Sequence, residues 1–262
     1  MNFTRIKAVV RRHWLILFRS PHRWFEIAFW PLMDVILWGS LGVFIAQEND
    51  ASRAGVPYLL AGLVLFWTLT QVQMTGSTAF MEETWTRNLL NVLTTSVKPV
   101  EYMSGIAIFG FVKLAMTMLT LTVTTIVLYG FDLSALGWSV LPIVGLLVAN
   151  GWAIALLVVG LILRFGQSAE ILTWGLNYVV LAVSGVFFPV DALPAALRQF
   201  AGVLPTTQAF AAARAILDGA PVPWSRLGQA TIGTVVFLGL SVWFGAAMLT
   251  VFRTRGFVTR YS

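Results

Sequence analysis

GVFFPVDALPAALRQFAGVLPTTQAFAAARAILDG, residues 185–219, is apolar enough to sit at membrane depth yet carries Pro189, Pro194 and Pro205. One continuous helix cannot hold three such prolines, because each removes a backbone donor and clashes with the preceding turn. Irregular backbone survives inside a bilayer only where protein or a watery cavity covers it. The stretch therefore reads as a bent, partly re-entrant segment, with a simple apolar span on each side.

Working outward, apolar runs recur along all 262 residues. The chain is 58% hydrophobic and only 11% charged, with a mean hydropathy of +0.83. A soluble domain carries roughly a quarter charged residues. The pattern is that of an all-α, multi-pass membrane protein with a single domain over 1–262. Its eleven Trp suit anchoring at the headgroup level. With no Cys there is no disulfide, Cys-ligated metal or thiol nucleophile. The net charge of +6 does not point to nucleic acid: six basic residues precede Trp24 and three follow Phe252, beside spans rather than along a stripe.

Residues 1–24 begin with an amphipathic helix over 3–19. Phe3, Ile6, Val10, Trp14 and Leu17 form its apolar face, and Arg5, Arg12 and Arg19, with Arg11 nearby, its basic one. Such a helix lies in the membrane interface, and Ser20-Pro21 then makes an elbow. The first apolar run is too long for a cleavable leader. Spans follow at about 25–46, 57–80, 101–128, 138–163, 171–187 and 229–251, six in all. Polar loops occupy 47–56, 81–99, 131–137 and 164–170, and the tail RTRGFVTRYS is basic. With the N-terminus inside, twelve Lys and Arg fall on the cytosolic side and four outside, so both termini are expected in the cytosol.

No Gly is followed by Lys anywhere, so a phosphate-cradling G-x-x-x-x-G-K-[ST] loop is absent. H-E-x-x-H and G-x-S-x-G are absent too, and the only histidines, His13 and His22, lie in the basic lead. Any active transport must draw its energy from a partner or an ion gradient.

Segment 81–99 offers an i, i+4 pair, Glu83 with Arg87, and an apolar side of Trp85, Leu89, Leu90, Val92 and Leu93. A short amphipathic helix of this kind either docks in a groove of a cytosolic protein or rests on headgroups. Asp34 and Lys113 are the ionisable residues inside spans. A lone charge at mid-bilayer costs at least ~2.5 kcal/mol, so each must face protein or water. They either pair with one another or with Gln71 and Gln73, or form a polar station or proton relay. In the broken segment Asp191 can cap one short helix, Thr206 or Thr207 the next, and Asp218-Gly219 can end it. Arg198 and Arg214 either face an aqueous vestibule or snorkel outward. Ala149/Ala153 and Ser241/Gly245 are small pairs that let helices approach closely.

The order of basic elbow helix, two spans, E-x-x-x-R-N-L-L (Glu83 to Leu90), G-x-F-F-P (Gly185 to Pro189), L-P (Leu193-Pro194), L-P-T-T (Leu204 to Thr207) and R-x-x-L-x-G (Arg214 to Gly219) resembles the membrane subunit of ABC-2 type exporters. That family moves drugs, polysaccharides and lipo-oligosaccharides, and the resemblance covers nearly the whole chain. It implies a bacterial inner-membrane permease with no catalytic, metal or cofactor site of its own. ATP and Mg are bound by a partner ATPase. Helix 81–99 would be a coupling helix, with Glu82, Glu83, Arg87 and Asn88 passing force and Arg164, Gln167 and Glu170 making a second, smaller contact. Residues 188–219 would be the outer re-entrant pair. A second permease copy, identical or not, would face this one, with Asp34, Gln71, Gln73, Lys113, Phe187 and Phe188 as candidates along the path. The competing reading is an ion-coupled carrier that uses Asp34 and Lys113. A scaffold without transport has no positive sign in the residues.

Overall fold

The computed structural model describes residues 1–48, 55–86, 88–132 and 137–255. Arg87, most of the loops expected at 47–56 and 131–137, and the end of the basic tail lie outside the described residues. Those described form helices and turns, without a strand. The helices are α1 (Phe3–Phe18), α2 (Pro21–Glu48), α3 (Gly55–Trp85), α4 (Leu89–Thr94), α5 (Pro99–Tyr129), α6 (Leu141–Phe165), α7 (Ile171–Val183), α8 (Ala195–Val203), α9 (Pro205–Leu217) and α10 (Trp224–Arg255).

Among them α2, α3, α5, α6 and α10 are long and apolar enough to cross a membrane. All-round apolarity suits helices whose outer faces meet lipid rather than water. α3 is the axis. α2, α5 and α6 pack on it, and α10 packs along α6. Small residues permit this closeness. A Cβ on Gly151 would come within 2.7 Å of the Leu69 carbonyl oxygen, and one on Gly76 within 2.8 Å of the Ala155 methyl. Gly160 of α6 lies against Phe244 and Gly245 of α10, beside the small pair expected there.

At 31 residues, α3 and α5 are each about 46 Å long at 1.5 Å per residue, well beyond a hydrocarbon core of ~30 Å. The end of α3 and the start of α5 lie together, Tyr102 bonding to Glu83, and α3 carries residues 81–85, expected in a separate helix, as its own last turn. α7, with 13 residues, is only about 20 Å long. α6 and α10 nevertheless run parallel: Pro142 and Leu146 meet Trp224 and Gly228 at one end, and Gly160 meets Gly245 farther along. The chain therefore returns to the starting side between them. α7 makes that return along α3, from Glu170 beside Trp85 to Val186 beside Gly62.

The broken segment follows its prolines. Pro194 immediately precedes α8, Pro205 is the first residue of α9, and Pro189 precedes a single helical turn over Val190–Ala192. A first-turn proline gives up an N–H that has no intrahelical acceptor anyway. The cap assignments need correction. Asp191 sits within the Val190–Ala192 turn and makes no cap bond. Thr206 and Thr207 lie inside α9, buried, after its cap residue Leu204. Thr206 instead shares a hydrogen bond with the Ser184 hydroxyl, at 2.7 Å, joining α9 to the end of α7. Asp218 and Gly219, at φ 78°, do end α9 as expected.

Candidate functional site

At the α4 end of the bundle, α1 lies against α5. Ile6, Val9, His13 and Leu17 are its buried stripe. Val9 and the Ile6 carbonyl sit over Gly105, and His13 stacks on Phe109 with ring centroids 5.5 Å apart. The apolar face read from sequence is therefore split. Ile6 and Leu17 go to the protein, whereas Phe3 and Trp14 stay exposed. The sequence placed the stripe by period alone, and period does not say which neighbour a face meets.

The α1 arginines are split as well. Glu83, on the last turn of α3, is 2% exposed. Its carboxylate takes the Arg12 guanidinium at 2.5 Å, the Asn88 amide at 2.6 Å and the Tyr102 hydroxyl at 3.2 Å. One carboxylate thus joins α1, α3, α5 and the residue that leads into α4. The expected partner of Glu83, Arg87, lies outside the described residues. Beside this hub, Glu82 pairs with Arg23 at 2.7 Å, tying α3 to the start of α2. Glu101 accepts from the backbone N–H of Asn2 at 2.7 Å and of Lys98 at 3.0 Å, and faces Arg5 at 3.4 Å. Glu101 and Tyr102 were not singled out from sequence, and Arg5 and Arg12 were read there only as part of the basic face of α1. The Lys98-to-Glu101 spacing is a signal that could have found Glu101, since an acid three residues after a helix cap reaches back to it. Glu170 accepts from the Trp85 indole at 3.1 Å, so the turn after α6 also meets the end of α3. Arg164 is exposed in the last turn of α6, and Gln167 lies on the short turn that follows.

His13 is buried and its Nε2 has no hydrogen-bond partner. Burial, with Arg12 next to it, pushes its pKa down to about 4, against the pull of Glu83; Arg23 and Lys113 act in the same direction as burial. The folded imidazole is therefore neutral between that value and the ordinary 6.5. The unfolded one binds a proton there, so stability falls as pH drops through the window. Melting of the purified protein between pH 7 and pH 4.5 is expected to show this loss. His13→Phe keeps the ring contact and should flatten the slope by most of one proton; parallel profiles would refute the assignment.

At the opposite end, the turn after α7 docks on α3. A Cβ on Gly62 would collide with the Val186 carbonyl, and the Phe187 ring stacks on Trp38 at 3.7 Å. Arg214 lies over the Tyr58 ring at 5.4 Å and against Gly185, and its Nε and Nη2 are buried without acceptors. Arg198 is exposed and donates to the carbonyls of Asp191, at 2.7 Å, and Leu193, at 3.1 Å.

A family profile described as ABC-2 type transporter matches residues 4–217, from the first turn of α1 to the last residue of α9. The chain belongs to the ABC-2 type transporter family. No curated protein matches it. The family makes it a membrane permease of an ABC transporter, a multi-pass membrane protein.

In this ABC-2 subunit the sequence-selected polar residues inside the spans do not converge. Asp34 accepts from the Trp67 indole at 3.0 Å. Lys113 instead has Glu26, Arg23 and Glu82 as its charged neighbours, at the start of α2 and the end of α3. The proposed Asp34–Lys113 pairing is thus not formed. Gln73 bonds to Ser77 and the Thr173 carbonyl, each at 3.1 Å, and accepts from Asn177 at 2.6 Å, which locks α7 to α3. Gln71 reaches only Thr75, one turn along α3, at 3.5 Å. Phe188 stays exposed next to the stacked Phe187.

Proposed function

We propose that the chain is the lipid-embedded half of an ABC exporter. It moves an amphipathic or lipid-linked molecule, of drug, lipid or glycan class, out of the cytosol. A separate ATPase subunit that holds ATP and Mg drives it, and a second permease copy completes the path. The chain then crosses the inner membrane of a bacterium six times, α7 with its following turn being the fifth crossing, and both termini are cytosolic. The observation that carries this reading is the Glu83 hub. A push on α4 reaches Asn88 and Glu83, and through them α3, α1 by Arg12 and α5 by Tyr102. α3 is one unbroken helix from Glu83 to Gly62, so displacement at the α4 end is delivered to the turn that holds Val186 and Phe187. Asn88, Glu83 and Glu82 pass force and perform no bond chemistry. Arg87, Arg164, Gln167 and Glu170 would add contacts to the same motor.

The ion-coupled alternative gains nothing from the geometry, since its two charges contact different neighbours. Replacing exposed Asn91 of α4 by Cys and cross-linking it to a cysteine on the co-purified ATPase is the direct test. Efficient cross-linking with loss of ATP-driven transport is expected. Transport by the purified chain with all ATPase removed would overturn the proposal.

A further inference from the structure

Arg5, Arg12 and Arg23 are paired to Glu101, Glu83 and Glu82. Lys7, Arg11 and Arg19 have no acidic partner among the described residues and are exposed. Lys7 and Arg11 are four residues apart, so they share one face of α1. That face is not simply a solvated one. It also presents Phe3, Trp14, Leu15 and Phe18, at 76%, 37%, 42% and 58% exposure. An open trough of about 560 Å³ runs along it beside Lys7, Arg11 and Leu15. Large apolar side chains do not stay bare in water in such number, and cations among them rule out plain hydrocarbon; the combination fits the boundary between headgroups and acyl chains.

Two observations select lipid over a protein partner. The aromatics continue into span one in two groups: Trp14 to Phe18 at 5.1 Å and Phe18 to Trp24 of α2 at 5.7 Å, then Phe25 against Phe29 and Phe29 against Trp30. Trp30 is 57% exposed on a membrane-crossing helix, so the same surface is already lipid-facing there. The second is charge: on α1 the exposed ionisable groups without an acidic partner among the described residues are cations, which complement anionic lipid phosphates.

We propose that α1 binds anionic lipid through Lys7 and Arg11, with Arg19 at its end, and that this binding sets the position of the coupling end of α3. The link is mechanical, because the neighbouring arginines of the same helix and its elbow hold Glu83 and Glu82. Lipid charge thereby regulates how firmly residues 81–95 are held. That last role rests on the coupling function proposed for α4; the lipid binding does not.

The test uses the full chain in vesicles of phosphatidylcholine, with and without phosphatidylglycerol. Spin-labelled phosphatidylglycerol should associate in preference to spin-labelled phosphatidylcholine, and the preference should fall about fivefold for each cation removed in Lys7→Gln and Arg11→Gln. Lys7→Arg with Arg11→Lys should retain it and shows that folding is intact. Amide exchange over 81–95 should slow when phosphatidylglycerol is present. Glu83→Gln should keep the lipid preference but lose that response. Equal association of the two lipids, or a preference untouched by the glutamine variants, overturns the binding site. Exchange over 81–95 indifferent to phosphatidylglycerol overturns the regulation while leaving the ATPase cross-linking result to decide the exporter reading.

Discussion

Arg12→Ala is expected to destabilise the folded protein by about 2–3 kcal/mol and to uncouple transport. Removing one partner of a buried ion pair costs about 3–5 kcal/mol, because the survivor is left desolvated and uncompensated. The figure is set lower here because the Arg12 side chain is 42% exposed and water screens part of the attraction. Glu83, at 2% exposure, cannot recruit water in its place and, among the described residues, keeps Asn88 and Tyr102. The Glu83 bond also holds the Arg12 guanidinium more firmly protonated than an exposed arginine. A double-mutant cycle with Glu83→Gln isolates the pair. Glu83→Gln in the Arg12→Ala background should be close to neutral, since no charge is then buried. Strict additivity of the two changes, read by thermal unfolding in detergent, would show that the hub is not a unit.

Gly185→Ala is expected to cost about as much, on the order of 3 kcal/mol, and to abolish export with the chain still inserted. Two effects add. At φ 69° an L side chain is strained by about 1–2 kcal/mol. The new methyl group also collides with the Arg214 guanidinium and comes within 3.1 Å of the Phe188 carbonyl oxygen. Overpacking of this kind costs roughly 1–3 kcal/mol. The two effects separate by experiment. In the Gly185→Ala, Arg214→Ala double variant the guanidinium collision is gone while the dihedral strain and the close approach to Val190 and the Phe188 carbonyl remain, so only part of the loss should return. If Gly185→Ala melts like the parent protein, the left-handed turn between α7 and α8 is wrong. The turn matters to function because it seats the chain on α3, with the Val186 carbonyl against Gly62.

The contrast between the two ends of the bundle separates what the chain encodes locally from what it does not. The broken segment was legible. Pro189, Pro194 and Pro205 act on their own backbones within one turn, and breaks therefore fall where the prolines are. The long apolar runs were legible for the same kind of reason, because crossing a bilayer is a property of about twenty consecutive residues. The termination of α9 at Asp218-Gly219 follows from glycine's tolerance of positive φ. The caps were misread because Ser, Thr and Asp near a helix start have another use here. Thr206 is close enough to Ser184 to bond across the segment, and proline already supplies the first-turn geometry of α9.

Residues 185–219, the apolar runs and the missing phosphate loop were determined by sequence alone, since each depends on neighbours along the chain. The identity of each charge's partner was not. Glu83 finds Arg12 seventy-one residues away, a separation over which the chain carries no local signal. Burial brings them together, because α1 packs its Ile6–Leu17 stripe on α5 and so carries Arg12 to a carboxylate that is out of water. The same packing turns Lys7 and Arg11 outward and places Lys113 beside the start of α2 rather than near Asp34. Such choices depend on which helices pack together, and only the assembled bundle fixes that.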